Sequence, residues 1–265
     1  MNNVFDLKAR LQAGEAVFGT FYKGSDPNAA EILGYAGFDF AIIDCEHSTF
    51  SYQMAEDTIR ACQLAQMAPI VRVNGPVPGD VHHYLESGAT GVQIPSITSV
   101  QDAADCVDEA AFFPVGHRSP NPATRSGHFT CWKGEKPYMA AMKESTLRVV
   151  QVECVEMADK VEELCAIPEI DVLFVGPGDL SMSMGKPGKL TDPEVEAKIA
   201  DIIKRGLAGG KIMGMLCGNA DAIKKYYDMG VRYIAYSNDR SLLASAAKKA
   251  NEMFDGYRRP QEEKS

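Results

Sequence analysis

A closed (β/α)8 barrel is the fold class this sequence predicts, and three observations lead to it. Eight short apolar or β-branched runs alternate with amphipathic segments of helical period along the 265 residues, close to the ~250 residues typical of such barrels. Strands separated by helices pair in parallel, because a parallel neighbour requires a crossover. The first strand continues into GTFYKGSD and not into G-x-G-x-x-G, which disfavours the rival open sheet with a dinucleotide-binding turn.

In chain order, the strand candidates are AVFGTFY (16–22), FDFAIID (38–44), APIVRV (68–73), GVQIPSI (91–97), LRVVQVE (147–153), DVLFVG (171–176), KIMGMLC (211–217) and RYIAYS (232–237). Helical periodicity marks 28–37, 55–66, 99–110 and 193–210 between them. Asp26-Pro27 and Asp192-Pro193 each pair a capping carboxylate with proline at the first helical position. Gly37, Gly88 and Gly230 follow helical patterns, where a left-handed glycine ends a helix before the next strand. The interval 112–145 is longer than the others and holds four prolines and the single tryptophan; such loops are lids, binding loops or subunit contacts. One domain over 1–255 and a charged tail at 256–265 complete the expected organisation.

A formal net charge of −9 speaks against nucleic acid as a partner, because phosphate binding needs a basic face. No run reaches the ~18–20 apolar residues of a membrane span, and the first residues, MNNVFDLKARLQAG, lack the apolar core of a secretory signal. Seven cysteines, at 45, 62, 106, 131, 154, 165 and 217, form no C-x-x-C pair. They read as free thiols in a reducing cytoplasm.

Barrels of this class place their chemistry at strand C-termini. The second strand runs out as IIDCEHS (42–48), which delivers Asp44, Glu46 and His47. The third carries Arg72, and the fifth ends Gln151-Val152-Glu153. The sixth enters Gly176-Pro177-Gly178-Asp179-Leu180-Ser181, and the seventh and eighth end near Asn219 and Asn238.

Glu153 and Asp179 are carboxylates on adjacent strand ends with no imidazole or thiolate required beside them. They suit a hard divalent cation that keeps several waters, Mg²⁺ best, with Mn²⁺ or Co²⁺ as substitutes. Singly, each reads as a helix cap; together they favour the metal. The GPGD turn lets backbone N–H groups at a helix start approach an anion such as a substrate carboxylate, although glycines also suit a plain tight turn. Arg72, inside an apolar strand, needs a partner such as Asp44 or Glu46, and a guanidinium so held can also face an oxyanion. His47 supplies an imidazole, the side-chain type suited to proton transfer near neutral pH, and reads as a general base. His82 and His83 lie with Glu86 on a helix and read as solvated, and His117 and His128 have no spacing that forces a role. The cysteines show no nucleophile pattern.

IIDCEHS, VRVNG, VQVE and FVGPGDLS, in this order and spacing, resemble the HpcH/HpaI aldolases, metal-dependent class II pyruvate aldolases that include 4-hydroxy-2-ketoheptanedioate and 2-keto-3-deoxyglucarate aldolases. The resemblance extends from FGTFYKGSDPNAAEILGYAGFDF through the last helix. It implies reversible cleavage of a 4-hydroxy-2-keto acid to pyruvate and an aldehyde through a metal-bound pyruvate enolate. By the same motifs it implies Glu153 and Asp179 as metal ligands, Gln151 and the Gly178 backbone as the pyruvate seat, Arg72 as the enolate-stabilising cation and His47 as the base. The family aspartate that polarises this histidine corresponds to Glu86. Where the family reads proline-x-glycine-x-arginine-glycine, this chain reads Pro114-Val115-Gly116-His117-Arg118-Ser119-Pro120. A homohexamer exchanging its last helix, here 240–254, is likewise implied.

The residues agree with that chemistry, since a divalent ion and Arg72 would share the charge of an enolate while His47 moves the hydroxyl proton. Two alternatives stand beside it. One is an oxaloacetate decarboxylase or acyl-CoA lyase on the same enolate site. The other, of a different class, is a non-catalytic barrel that binds a keto acid, against which the full set Gln151, Glu153, Asp179, Arg72 and His47 argues.

Overall fold

Alternating strands and helices do close on themselves. A computed structural model describes residues 6–258, and in it β1 (Val17–Tyr22), β2 (Phe40–Asp44), β3 (Ala68–Arg72), β4 (Gly91–Ile94), β5 (Leu147–Val152), β6 (Val172–Val175), β7 (Ile212–Cys217) and β8 (Tyr233–Asn238) form one barrel in sequence order. Every neighbouring pair is parallel, β8 on β1 included.

The period of two along each strand divides the side chains between two cores. Phe21, Phe40, Ile42, Ile70, Val149, Phe174 and Tyr233 fill the interior, where the Phe40 and Tyr233 rings stack with centroids 4.2 Å apart. The intervening residues, such as Ile43, Val71 and Val150, pack outward against the helices. Interior room is tight: a Cβ on Gly19 would lie 2.4 Å from Phe40, so the large ring is matched by a residue with no side chain. Leu7 and Leu11 of α1 (Leu7–Gln12), a helix the sequence reading did not anticipate, join the interior cluster.

The helices start where the capping residues stand. Asp26 accepts from the Asn28 amide at 3.0 Å and opens α2 (Pro27–Tyr35). Asp192 accepts from Glu194 at 3.0 Å and opens α10 (Pro193–Ala208). Ser51 caps α3 (Tyr52–Leu64), and a reciprocal Ser99–Asp102 capping box opens α5 (Val100–Glu109). α4 (Pro78–Glu86) follows β3, the short helices α7 (Val155–Ala158) and α8 (Val161–Cys165) follow β5, α9 (Pro177–Ser183) precedes α10 after β6, and α11 (Ala220–Asp228) follows β7; α12 (Asp239–Glu252) follows β8.

Strand ends differ from the expected ones by up to three residues, and the long interval is not a bare loop. The fourth strand ends at Ile94, not at 97, because Pro95 has no N–H for the ladder and Ser96 turns left-handed at φ 56°. The long interval contains structure of its own, a 3-10 turn at Arg125–Gly127 and α6 (Tyr138–Ser145). They pack around Phe112, Tyr138 and Met142, with Trp132 against that cluster. The expected tail at 256–265 falls largely outside the described residues. Among the described residues, no helix is long and apolar enough to cross a membrane.

Candidate active site

The alternation that fills the barrel also builds its upper rim. Two residues beyond the interior Ile42 comes Asp44, two beyond Ile70 comes Arg72, and two beyond Val149 comes Gln151. Hydrophobic core thus gives way to polar groups without any change of strand geometry. A cleft of about 360 Å³ opens there, lined by Lys23, His47, Arg72, Gln151, Glu153 and Asp179 among others.

Asp44 is fully buried and is the pivot of the rim. Its Oδ1 accepts from Arg72 Nε at 2.9 Å and its Oδ2 from Arg72 Nη2 at 2.6 Å. The His47 amide donates to Oδ1 at 3.1 Å, and Lys23 Nζ lies 2.9 Å from Oδ2. Burial alone would raise this carboxyl, but the bonds and charge of Arg72, helped by Lys23 and the His47 amide, hold it below the usual carboxylate range. Arg72 is 6% exposed, reaches Glu46 through Nη1 at 2.9 Å, and lies over the Phe21 ring at 4.8 Å. Three of the guanidinium's roughly five N–H groups are thereby engaged, which leaves donors for an oxyanion in the cleft.

His47 stands just past β2 with its side chain 55% exposed and Nε2 3.6 Å from Glu46 Oε2. Glu46 in turn accepts from Ser96 Oγ at 3.0 Å. The Ser96 amide donates to Glu153, so one left-handed serine ties together the carboxylates following β2 and β5.

Glu153 also accepts from Gln151 Nε2 at 2.5 Å, and Gln151 accepts from Gln93 Nε2 at 2.5 Å. Gln93 is completely buried and fixes the Gln151 amide from behind. Burial pushes the Glu153 carboxyl up, and the negative charges of Glu46 and Asp179 add to that against the bonds from Ser96 and Gln151. Asp179 sits in the first turn of α9 (Pro177–Ser183), whose start at Gly176 has no side-chain cap. Gly176 is required at its position, because a Cβ there would lie 2.9 Å from Glu153 Cβ, which cannot swing away as the carboxylate tip can.

This donor set fits a divalent cation. Among the described residues no group of three or more His, Cys, Asp and Glu converges as a closed metal cage. Two carboxylates facing one cleft, with a third nearby and burial penalising their charge, instead match an open site for a hard ion that takes its remaining ligands from substrate and water.

The other expected residues divide. Gly178 lines the cleft with Asp179. Asn238 lines it too while capping α12, whereas Asn219 caps α11 through the Ala222 amide at 2.8 Å. The structure does not bring Glu86 to His47. Glu86 Oε1 lies 3.3 Å from His82 Nε2 and lines a separate hollow with His83 and Arg125. The reason is direction: α4 runs back from the strand C-termini, so its last residue lies toward the opposite end of the barrel. The carboxylate beside His47 in this chain is Glu46. His117 pairs with Asp108 at 2.6 Å and His128 packs near Trp132, both outside the cleft. Sequence reading overlooked Lys23, Gln93 and Ser96. Lys23 could have been found by continuing the β1 alternation beyond Phe21.

Known proteins agree with this geometry. A family model described as HpcH/HpaI aldolase/citrate lyase matches residues 17–246. The chain is 31% identical to a 2-dehydro-3,6-dideoxy-6-sulfogluconate aldolase of Pseudomonas putida over 92% of this chain and 93% of that protein. It is 30% identical to a 4-hydroxy-2-oxo-heptane-1,7-dioate aldolase of Escherichia coli over 93% of each. A crystal structure of an HpcH/HpaI aldolase/citrate lyase family protein from Burkholderia cenocepacia superposes with a TM-score of 0.87 at 32% identity, covering 94% of this chain and 98% of that one. The barrel with Arg72, Glu153 and Asp179 on one rim therefore belongs to the HpcH/HpaI aldolase/citrate lyase family, and this protein is a carbon–carbon lyase of the aldolase type.

Proposed function

We propose that this aldolase reversibly cleaves a 4-hydroxy-2-keto acid to pyruvate and an aldehyde, with Glu153 and Asp179 holding the divalent ion, Mg²⁺ before Mn²⁺ or Co²⁺. The observation that carries the reading is the position of Arg72, a buried guanidinium fixed by Asp44 and Glu46 yet lining the same cleft as the two carboxylates. Relatives whose names denote aldolases of a sulfogluconate and of a heptane-dioate support the substrate class.

A divalent ion bound there supplies a Lewis acid for the keto oxygen. The protein's own groups do the rest. Gln151, oriented by Gln93, and the first-turn N–H of Gly178 seat the α-keto carboxylate. Arg72 directs its free N–H groups at the oxygen that gains charge as the carbon–carbon bond breaks, and it needs no reorganisation to do so. His47 takes the 4-hydroxyl proton as the carbon–carbon bond breaks, one proton then goes to the methylene carbon of the enolate to complete pyruvate, and synthesis runs the same transfers backwards; Glu46 Oε2 lies 3.6 Å from His47 Nε2. Phe21, Phe174 and Leu216 wall the cleft and limit access of water to the enolate.

The reading extends to assembly and location. α12 has no buried residue and exposes Leu243 at 72%, which supports exchange of this helix in a homohexamer. Seven unpaired thiols support a reducing cytoplasm. The deciding experiment is pyruvate release from a panel of 4-hydroxy-2-keto acids, with oxaloacetate alongside, before and after chelation and Mg²⁺ or Mn²⁺ add-back. Chelator-sensitive cleavage of a hydroxy-keto acid is expected. Activity on oxaloacetate alone would replace the aldolase by a decarboxylase. Sedimentation analysis tests the hexamer.

A further inference from the structure

One carboxylate grips two cations at each end of the barrel. At the upper rim Asp44 holds Arg72 and Lys23. At the lower end Asp171, just before β6, holds Lys8 of α1 and Arg148 of β5. Lys8 Nζ lies 2.8 Å from Oδ1, and Arg148 Nε donates to Oδ2 at 3.1 Å. The backbone fixes the pair, because the Asp171 N–H donates to the Arg148 carbonyl at 3.0 Å and the Arg148 N–H returns to Oδ2 at 2.9 Å. The upper cations face the active cleft. Lys8 and Arg148 line a hollow of about 610 Å³ that the aldolase chemistry does not use, and Asp171 is not on its wall.

Both lower cations keep donors to spare. Lys8 is 6% exposed, and besides Asp171 its ammonium donates to the Thr146 carbonyl at 3.2 Å. Arg148 spends Nε and Nη2 on Asp171, and its Nη1 has no partner among the described residues. One carboxylate cannot neutralise two cations. Glu144 and Glu169 on the wall do not close the difference, since Lys136 pairs with Glu144 and Lys143 lines the hollow as well. Burial pulls the Lys8 ammonium below its ordinary value, Asp171 works against this, and the charge of Arg148 adds to it. The floor of the barrel is therefore short of one negative charge, where an uncompensated charge is costly.

The rest of the wall is apolar, with Ala110, Ala111, Phe112 and Val115 beside the cations. We infer that this hollow is a second ligand site, for a small carboxylate with a short apolar tail. The carboxylate meets Lys8 and Arg148, a guanidinium and an ammonium that match its two oxygens. The tail lies along Phe112 and Val115. Such an occupant joins α1 and β5 to the start of the long interval, and nothing in the assignment depends on the reaction at the upper rim.

The test is calorimetric titration of the full chain with hexanoate, and with hexan-1-ol as its uncharged counterpart. Saturable binding of hexanoate is expected, with hexan-1-ol weaker by about tenfold or more. Arg148→Met leaves Lys8 and Asp171 as a neutral pair, so it should fold, and should weaken hexanoate by about tenfold or more. Val115→Asp, at a residue 45% exposed, sets a carboxylate beside the ligand and should weaken it as much. Arg72→Lys, in the active cleft, should leave the affinity within about twofold. No saturable binding, or equal binding of the alcohol, overturns the site. So does unchanged affinity in Arg148→Met or, if circular dichroism shows that variant unfolded, in Val115→Asp. Affinity lost in Arg72→Lys would put hexanoate in the active cleft and overturn the inference equally.

Discussion

Asp44 and Arg72 face each other as register partners on β2 and β3 and exchange a two-point ion pair at 2.9 and 2.6 Å. Strand pairing, and not a flexible loop, fixes the guanidinium. Lysine at 72 would keep the charge but lose the fork that grips Asp44 and still reaches Glu46. Arg72→Lys should therefore fold and lower kcat/KM for aldol cleavage by about 10²-fold or more. Steady-state assays with circular dichroism check both halves, and near wild-type turnover would remove Arg72 from the chemistry.

The same pair makes Asp44 a stability determinant with a defined pH window. Its carboxyl sits below the usual carboxylate value in the folded protein. Its contribution is therefore complete above about pH 4, the unfolded value, and fades as pH falls through the lower folded value. Asp44→Asn leaves Lys23 and Arg72 with one fewer counter-charge and should cost about 3–5 kcal/mol near neutral pH. In urea unfolding, the gap between wild type and variant should narrow below pH 4. A gap that stays constant into acid would show that the charge of Asp44 is not what stabilises the fold.

Glu153 has the opposite sign. Burial and neighbouring carboxylates raise its folded-state pKa, so in metal-free protein its ionised form opposes folding above that value, and the penalty lifts as pH falls through it. Glu153→Gln should be at least as stable as wild type without metal. Divalent ion at a hundredfold excess over its dissociation constant should stabilise the wild type by about 2.7 kcal/mol and leave the variant unmoved. The wild-type response should shrink as pH falls, since protons compete for the carboxylate. Thermal unfolding with and without Mn²⁺ at two pH values provides the comparison, and an equal Mn²⁺ shift in both proteins would place the ion elsewhere.

How far these features were legible differs by residue for physical reasons. Ile42-x-Asp44 and Ile70-x-Arg72 follow a period of two that any strand obeys, so the rim residues of β2 and β3 could be read directly. Their mutual grip depends on register, which the closed barrel sets. Ser96 bridges Glu46 and Glu153 only because its backbone turns left-handed after Pro95, and nothing in the composition of Ile94-Pro95-Ser96 announces that. Glu86 shows the limit of matching by position alone: its place on α4 was correct, but a helix returning from the rim carries its last turn away from His47.

His47 provides the sharpest separation between the two reactions the cleft could perform. Cleaving a 4-hydroxy-2-keto acid requires a proton to leave the hydroxyl, whereas loss of carbon dioxide from oxaloacetate requires only that charge on the keto oxygen be stabilised. The imidazole lines the cleft, and among the described residues its side chain has no polar partner closer than Glu46 at 3.6 Å; it is not needed to hold Arg72, which Asp44 and Glu46 already fix. His47→Ala should therefore reduce aldol cleavage by about 10²–10⁴-fold and spare oxaloacetate decarboxylation to within about tenfold, because the Arg72 contribution survives. Both rates measured on one preparation decide the matter. Parallel losses would mean that the imidazole supports the enolate itself, and undiminished cleavage would move the proton to another group or to water.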